Sequence, residues 1–196
     1  GNISGGGSLG GIVSSNSCDS IVNCVNYGTV TGTGSNVGGV IGYGNWNKTC
    51  MTVAGCHNEG DVTGTSQVGG FAGYMQNAFV VADCYNTGAV TASGADCGGL
   101  VGSFNYRSSA GGDARLERCY NTGLVAGSGK RVGGLAGDVS TGIEFSACYN
   151  TGDVLGGNGD YVGGLAGYCR TADIIDCWNA GNVEASGSAV AGIAGF

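Results

Sequence analysis

The residues of this 196-residue chain that could do chemistry are ten cysteines, fourteen aspartates and glutamates, and one histidine, His57. Six cysteines recur inside one phrase: CYNTG at Cys84, Cys119 and Cys148, with variants at Cys24, Cys56 and Cys177. A structural zinc site wants closely spaced thiolates of the CxxC kind, and none occurs. The separations Cys18 to Cys24 and Cys50 to Cys56 are too wide for a knuckle. His57 stands where tyrosine stands in other copies and reads as a surface variant. With a single histidine there is no HExxH, so a zinc protease site is excluded from this segment. No cofactor is implied.

The carboxylates are not spaced for catalysis. Asp61 and Asp153 share a repeat position but lie three copies apart, as do Asp83 and Asp176. Stacked at a strand spacing of ~4.8 Å, each pair would be separated by about 14 Å. Glycosidases hold their two carboxylates roughly 5–10 Å apart. A polysaccharide-degrading enzyme is therefore the weaker alternative. Gly156 to Asp160, GGNGD, approaches the calcium-binding GGxGxD, but its aspartate comes one residue early and the phrase occurs once. Asn2 and Asn47 begin N-x-Ser/Thr sequons, to which no role is assigned.

The elements that position these residues follow from a second phrase. It reads VGGLAG at Val132 and Val162, CGGLVG at Cys97, VGGFAG at Val68, VGGVIG at Val37 and VAGIAG at Val190, with GGIVS at Gly10. Its central position, Gly11, Gly39, Gly70, Gly99, Gly134, Gly164 and Gly192, advances in steps of 28, 31, 29, 35, 30 and 28 residues. Such a period marks stacked units that cannot bury an apolar face alone. Propeller blades need roughly 40–50 residues. No segment sustains a helical apolar period without glycine, and seven leucines are too few for leucine-rich repeats.

An all-β, parallel β-solenoid remains: residues 1–196 as one repeat domain of six to seven turns, with three short strands each. Four apolar columns would form one narrow core, headed by Val37, Val40, Ile21 and Val30. The invariant Gly28, Gly60, Gly88, Gly123, Gly152 and Gly181 suggest a backbone corner with positive φ. Because the chain begins and ends inside the repeat, it reads as a piece of a longer, elongated rod.

Stacking brings equivalent side chains together. Asn26, Asn58, Asn86, Asn121, Asn150 and Asn179 follow the cysteines by two residues, so they share a strand face and could hydrogen-bond turn to turn. The rung spacing also falls in the range for disulfides. Either Cys24–Cys56, Cys84–Cys119 and Cys148–Cys177 are bridged, or these are reduced thiols serving as small apolar side chains. Cys18 and Cys50, equivalent across adjacent turns, form the most strongly expected bridge. Between Cys and Asn, the outward stripe is Val25, His57, Tyr85, Tyr120, Tyr149 and Trp178. These rings could stack on sugars or anchor a protein, or could merely shield neighbouring turns. Tyr43, Tyr74 and Tyr168 form a second, shorter stripe.

Composition excludes several classes. There are 44 glycines and no proline, yet 42% of residues are hydrophobic and only 11% charged, unlike a disordered chain. A net charge of −7 with dispersed cations makes nucleic acid a poor partner. No apolar run is long enough to insert in a membrane. The ten cysteines suit an oxidising compartment, or a metal or thiol array in a reducing one. A row beginning Thr31, Thr63, Thr91 would suit ice binding, but it decays to Ala126, Leu155 and Glu184.

The Gly-(apolar)-x-Gly phrase resembles the GLUG motif, which Gly99–Gly102, Gly134–Gly137 and Gly164–Gly167 match directly with Leu at the second place. Gly39–Gly42, Gly70–Gly73 and Gly192–Gly195 match with Val, Phe or Ile, while Gly11–Ser14 departs at its last residue. The motif is seen in tandem in bacterial surface and secreted proteins, including regions attached to IgA-specific metallopeptidases. The resemblance implies an extracellular or cell-surface, non-catalytic structural or adhesion module. Its partners would be glycans or proteins, with end-to-end self-association open, and it carries over no active-site residue.

Overall fold

The computed structural model describes residues 1–16, 18–45, 51–77, 79–106 and 113–196. The chain winds into a parallel β-solenoid of about six turns, with no helix among the described residues. Each complete turn gives one strand to each of five sheets, where three were expected. In the second turn these strands are Val30–Gly32, Ser35–Gly38, Ile41–Asn45, Met51–Ala54 and His57–Asn58. They define the first to fifth sheets in that order. The first and second sheets have seven strands, the others six. Strands of the first, second and fifth sheets are only two to four residues long and are separated by bends of one to four residues, too short for period-2 alternation to resolve them.

Register is kept from turn to turn, apart from a shift between Leu155 and Gly157 in the first sheet. Val30, Val62, Val90, Val125, Val154 and Val183 pair in succession, and so do Val25, His57, Tyr85, Tyr120, Tyr149 and Trp178. The seven strands of the first sheet span only about 29 Å at ~4.8 Å per interval. A compact domain of this length has a diameter of about 40 Å. The chain is thus squat, and the expected rod shape is not reached within these residues.

The four apolar columns are buried as far as the last turn, where Val190 and Ile193 are exposed, but they form two cores instead of one. Val30, Val62, Val90, Val125 and Val154 meet Val37, Val68, Cys97, Val132 and Val162 in a small lobe between the first and second sheets. Val40, Phe71, Leu100, Leu135 and Leu165 meet Val53, Val81, Leu116 and Phe145 in a larger lobe bounded by the other three sheets. The repeated phrase builds the partition. Its first residue enters the small lobe and its fourth the large one. Between them the backbone folds so tightly that a Cβ on Gly38 would lie 2.0 Å from the Ile41 carbonyl oxygen.

The glycine column from Gly28 to Gly181 has a different cause from the one expected. Its members are not among the positive-φ residues. A Cβ on Gly60 would instead stand 2.1 Å from the Gly28 carbonyl oxygen, and one on Gly88 2.1 Å from that of Gly60. Close stacking of successive turns excludes side chains here. Positive φ falls on the residue before each repeat cysteine: Asn23, Gly55, Asp83, Arg118, Ala147 and Asp176, with φ between 51° and 61°. That left-handed residue turns the chain from the fourth sheet into the fifth. Asn, Asp and Gly adopt it readily, whereas Arg118 and Ala147 do so at a cost.

Candidate functional site

The fifth sheet carries the residues singled out from the sequence. Its two-residue strands follow the left-handed corner, so cysteine and asparagine face inward while the residue between them faces out. The asparagine ladder is continuous. Nδ2 of Asn26, Asn58, Asn86, Asn121 and Asn150 donates to Oδ1 of the next member at 2.7, 2.7, 2.8, 2.8 and 2.9 Å. The second amide hydrogen goes to the glycine carbonyl two residues on, for example Asn121 to Gly123 at 2.8 Å. Both donors are satisfied, which lets Asn58, Asn86, Asn121 and Asn150 be wholly buried. The second glycine of each VGG phrase lies against this ladder. A Cβ on Gly39 would fall 2.2 Å from the Asn58 amide carbon.

The cysteine column corrects one expectation. Cys24, Cys56, Cys84, Cys119, Cys148 and Cys177 are free thiols, so the three proposed bridges among them are not formed. Each thiol is used instead as a hydrogen-bonding group between turns. The Cys24, Cys56, Cys119 and Cys148 amides donate to the sulfur of the following turn at 3.3–3.4 Å. The sulfurs donate in turn to carbonyls, as Cys119 does to Val81 at 3.4 Å and Glu117 at 3.3 Å. Burial pushes the Cys119 thiol up, and pushes Cys97 in the small lobe up to about 12. At Cys148 the neighbouring Cys119 thiol and then burial raise it to about 12. These are inert, protonated core groups. The expected Cys18–Cys50 pair includes a position outside the described residues, as do Trp46 and most of the insert after Asn105.

On the outer face the aromatic residues form one stack. His57 and Tyr85 lie 4.3 Å apart between centroids, Tyr85 and Tyr120 4.8 Å, Tyr120 and Tyr149 4.8 Å, and Tyr149 and Trp178 4.5 Å. Interplanar angles are 10° or less. His57 therefore takes the tyrosine place in the stack, with its Nε2 3.5 Å from a Glu59 carboxylate oxygen. The consequence for ligands is specific. Both faces of Tyr85, Tyr120 and Tyr149 are covered by neighbouring rings, so the sugar stacking that an open aromatic face supports has no room there. What reaches solvent is ring edge and phenol hydroxyl; Trp178 is the most open, at 47% exposed.

The second stripe is broken. Tyr43 and Tyr74 stack at 5.4 Å, but the third-sheet register then runs through Ser103 and Asp138 before Tyr168. In the gap Arg131 binds Asp96 at 2.5 Å and Asp138 at 3.0 Å. Burial raises the Asp96 carboxyl, and Arg131 partly offsets this. Tyr168 continues onto Phe196 at 4.8 Å. Sequence columns revealed the tyrosines; the Asp96–Arg131–Asp138 cluster, drawn from two different columns, was missed.

The aligned carboxylates do not come together. Asp61 accepts from the Ala89 amide and Asp153 from the Asn182 amide, each at 2.9 Å, so both tie one turn to the next. Asp83 is held by Arg118 at 2.7 and 2.8 Å, which lowers its carboxyl. Asp176 occupies the equivalent corner three turns on. Among the described residues no three His, Cys, Asp or Glu converge as a metal site. Thr31, Thr63 and Thr91 do line up on the outer face of the first sheet, followed by Ala126, Leu155 and Glu184.

These features define a parallel β-solenoid repeat protein whose aligned residues are tied up in turn-to-turn bonds. More particularly, the profile of the family described as the GLUG motif matches residues 64–91. That span runs from the first sheet through one VGGFAG phrase and one CYNTG phrase to the next strand of the first sheet. No curated protein matches the chain. A similar solved structure is that of a candidate immunoglobulin A1 protease from Bacteroides ovatus, with a TM-score of 0.59 at 20% identity. The match covers 82% of this chain and 55% of that one, so this chain spans about half of that structure's length. At this identity the likeness concerns the fold.

Proposed function

We propose that this chain is a non-catalytic, secreted or cell-surface repeat module. It acts as a rigid structural spacer, and the outer edge of its aromatic column, at Tyr85, Tyr120, Tyr149 and Trp178, is its contact strip for a glycan or protein. The observation that carries this reading is the set of asparagine, cysteine and aromatic columns on the fifth sheet. Amides, thiols and ring faces all find partners in the next turn, and the result is a stiff surface that needs no ligand to order it. The GLUG match and the fold shared with a candidate immunoglobulin A1 protease support a secreted setting. Carboxylates committed to capping and ion pairs weigh against polysaccharide cleavage, and a threonine row ending in Leu155 and Glu184 weighs against ice binding.

Because ring faces are covered, contact would run through edges and hydroxyls. A glycan array and a surface-protein pull-down with the native chain, Tyr120→Phe and Tyr120→Ala test this. Loss of binding in both variants, with the fold retained, supports hydroxyl-mediated contact. No hits at all, or hits unchanged by either substitution, would leave only the spacer role.

A further inference from the structure

We draw no further inference here: the strongest candidate, a shallow trough of about 620 Å³ along the outer face of the first sheet between Thr33 and Gly157, is an unpartnered face of small side chains, and nothing in the structure shows what covers it.

Discussion

Replacing Asn121 by alanine should be among the most damaging changes this chain can suffer. The Asn121 amide gives one hydrogen to Gly123 and one to Asn150, each at 2.8 Å, and accepts from Asn86 at 2.8 Å. Truncation would leave a donor hydrogen on Asn86, the Oδ1 acceptor of Asn150 and the Gly123 carbonyl without these partners. Asn86 and Asn150 are fully buried. Each orphaned buried group costs about 1–3 kcal/mol, so two or three of them cost about 3–6 kcal/mol. That is a large share of the ~5–15 kcal/mol that holds a domain together. With a urea slope of ~2 kcal/mol/M, the midpoint should fall by about 2 M. Asn121→Asp separates polarity from volume. It keeps the shape but turns acceptor oxygens toward the Gly123 carbonyl and Asn150 Oδ1, and should cost at least as much. Asn26→Ala is the internal comparison. In the ladder Asn26 serves only Asn58, and its truncation also frees the Gly28 carbonyl, so two partners are orphaned in place of three and the loss should be smaller, about 2–4 kcal/mol. Urea unfolding followed by circular dichroism would measure all three. If Asn121→Ala fell within about 1 kcal/mol of the native chain, or cost no more than Asn26→Ala, the ladder would not hold the turns as described.

Three other outcomes follow from the same geometry. Ala147 is exposed and sits at φ 52°; Ala147→Gly removes a Cβ penalty of about 1–2 kcal/mol against a glycine entropy cost of about 0.5–1 kcal/mol, so urea unfolding should show a net gain of about 0.5–1 kcal/mol. Asp96 has its carboxyl raised from an ordinary value of 3.8, so between that value and the folded one the native state holds the extra proton. Stability gained from this group is complete below 3.8 and lost as pH rises through its folded pKa. The stability of the native chain relative to Asp96→Asn should accordingly decline from pH 4 to pH 7 in paired urea titrations, and a relative rise would contradict the burial effect. The six repeat cysteines should all react with a thiol reagent in denaturant without reductant, yet Cys84, Cys119 and Cys148 should be protected in the native state; any of the six found oxidised would restore a bridge.

Much of this was legible because a solenoid repeats its instructions. Alignment of the two phrases placed Val37, Val40, Val53 and Val30 in buried columns, and Asn86 and Tyr85 on opposite faces of one strand. The physical reasons were less legible than the positions. An invariant glycine looks the same in sequence whether its φ is positive or a Cβ would stand only 2.1 Å from its neighbour's oxygen, and Gly60 proved to be the second case. The left-handed corner was hidden because Arg118 and Ala147 interrupt an otherwise recognisable set of Asn, Asp and Gly. Its signal was present at Asn23, Gly55, Asp83 and Asp176, beside cysteines that drew attention first. Division of the core into two lobes depends on backbone folding at Gly38, which apolar patterning does not encode. The contact between Arg131 and Asp138 joins two sheets whose mutual angle no repeat alignment supplies.

The central claim is that one side chain from every turn lies directly above its counterpart in the next. Side-chain amide NOEs in an isotopically labelled sample test it most directly. The structure predicts an unbroken series of cross-peaks linking Asn26, Asn58, Asn86, Asn121, Asn150 and Asn179, with slow solvent exchange at the four internal amides. Isolated amide groups with no contact across those separations of 28 to 35 residues, exchanging at the rate of free asparagine, would contradict it.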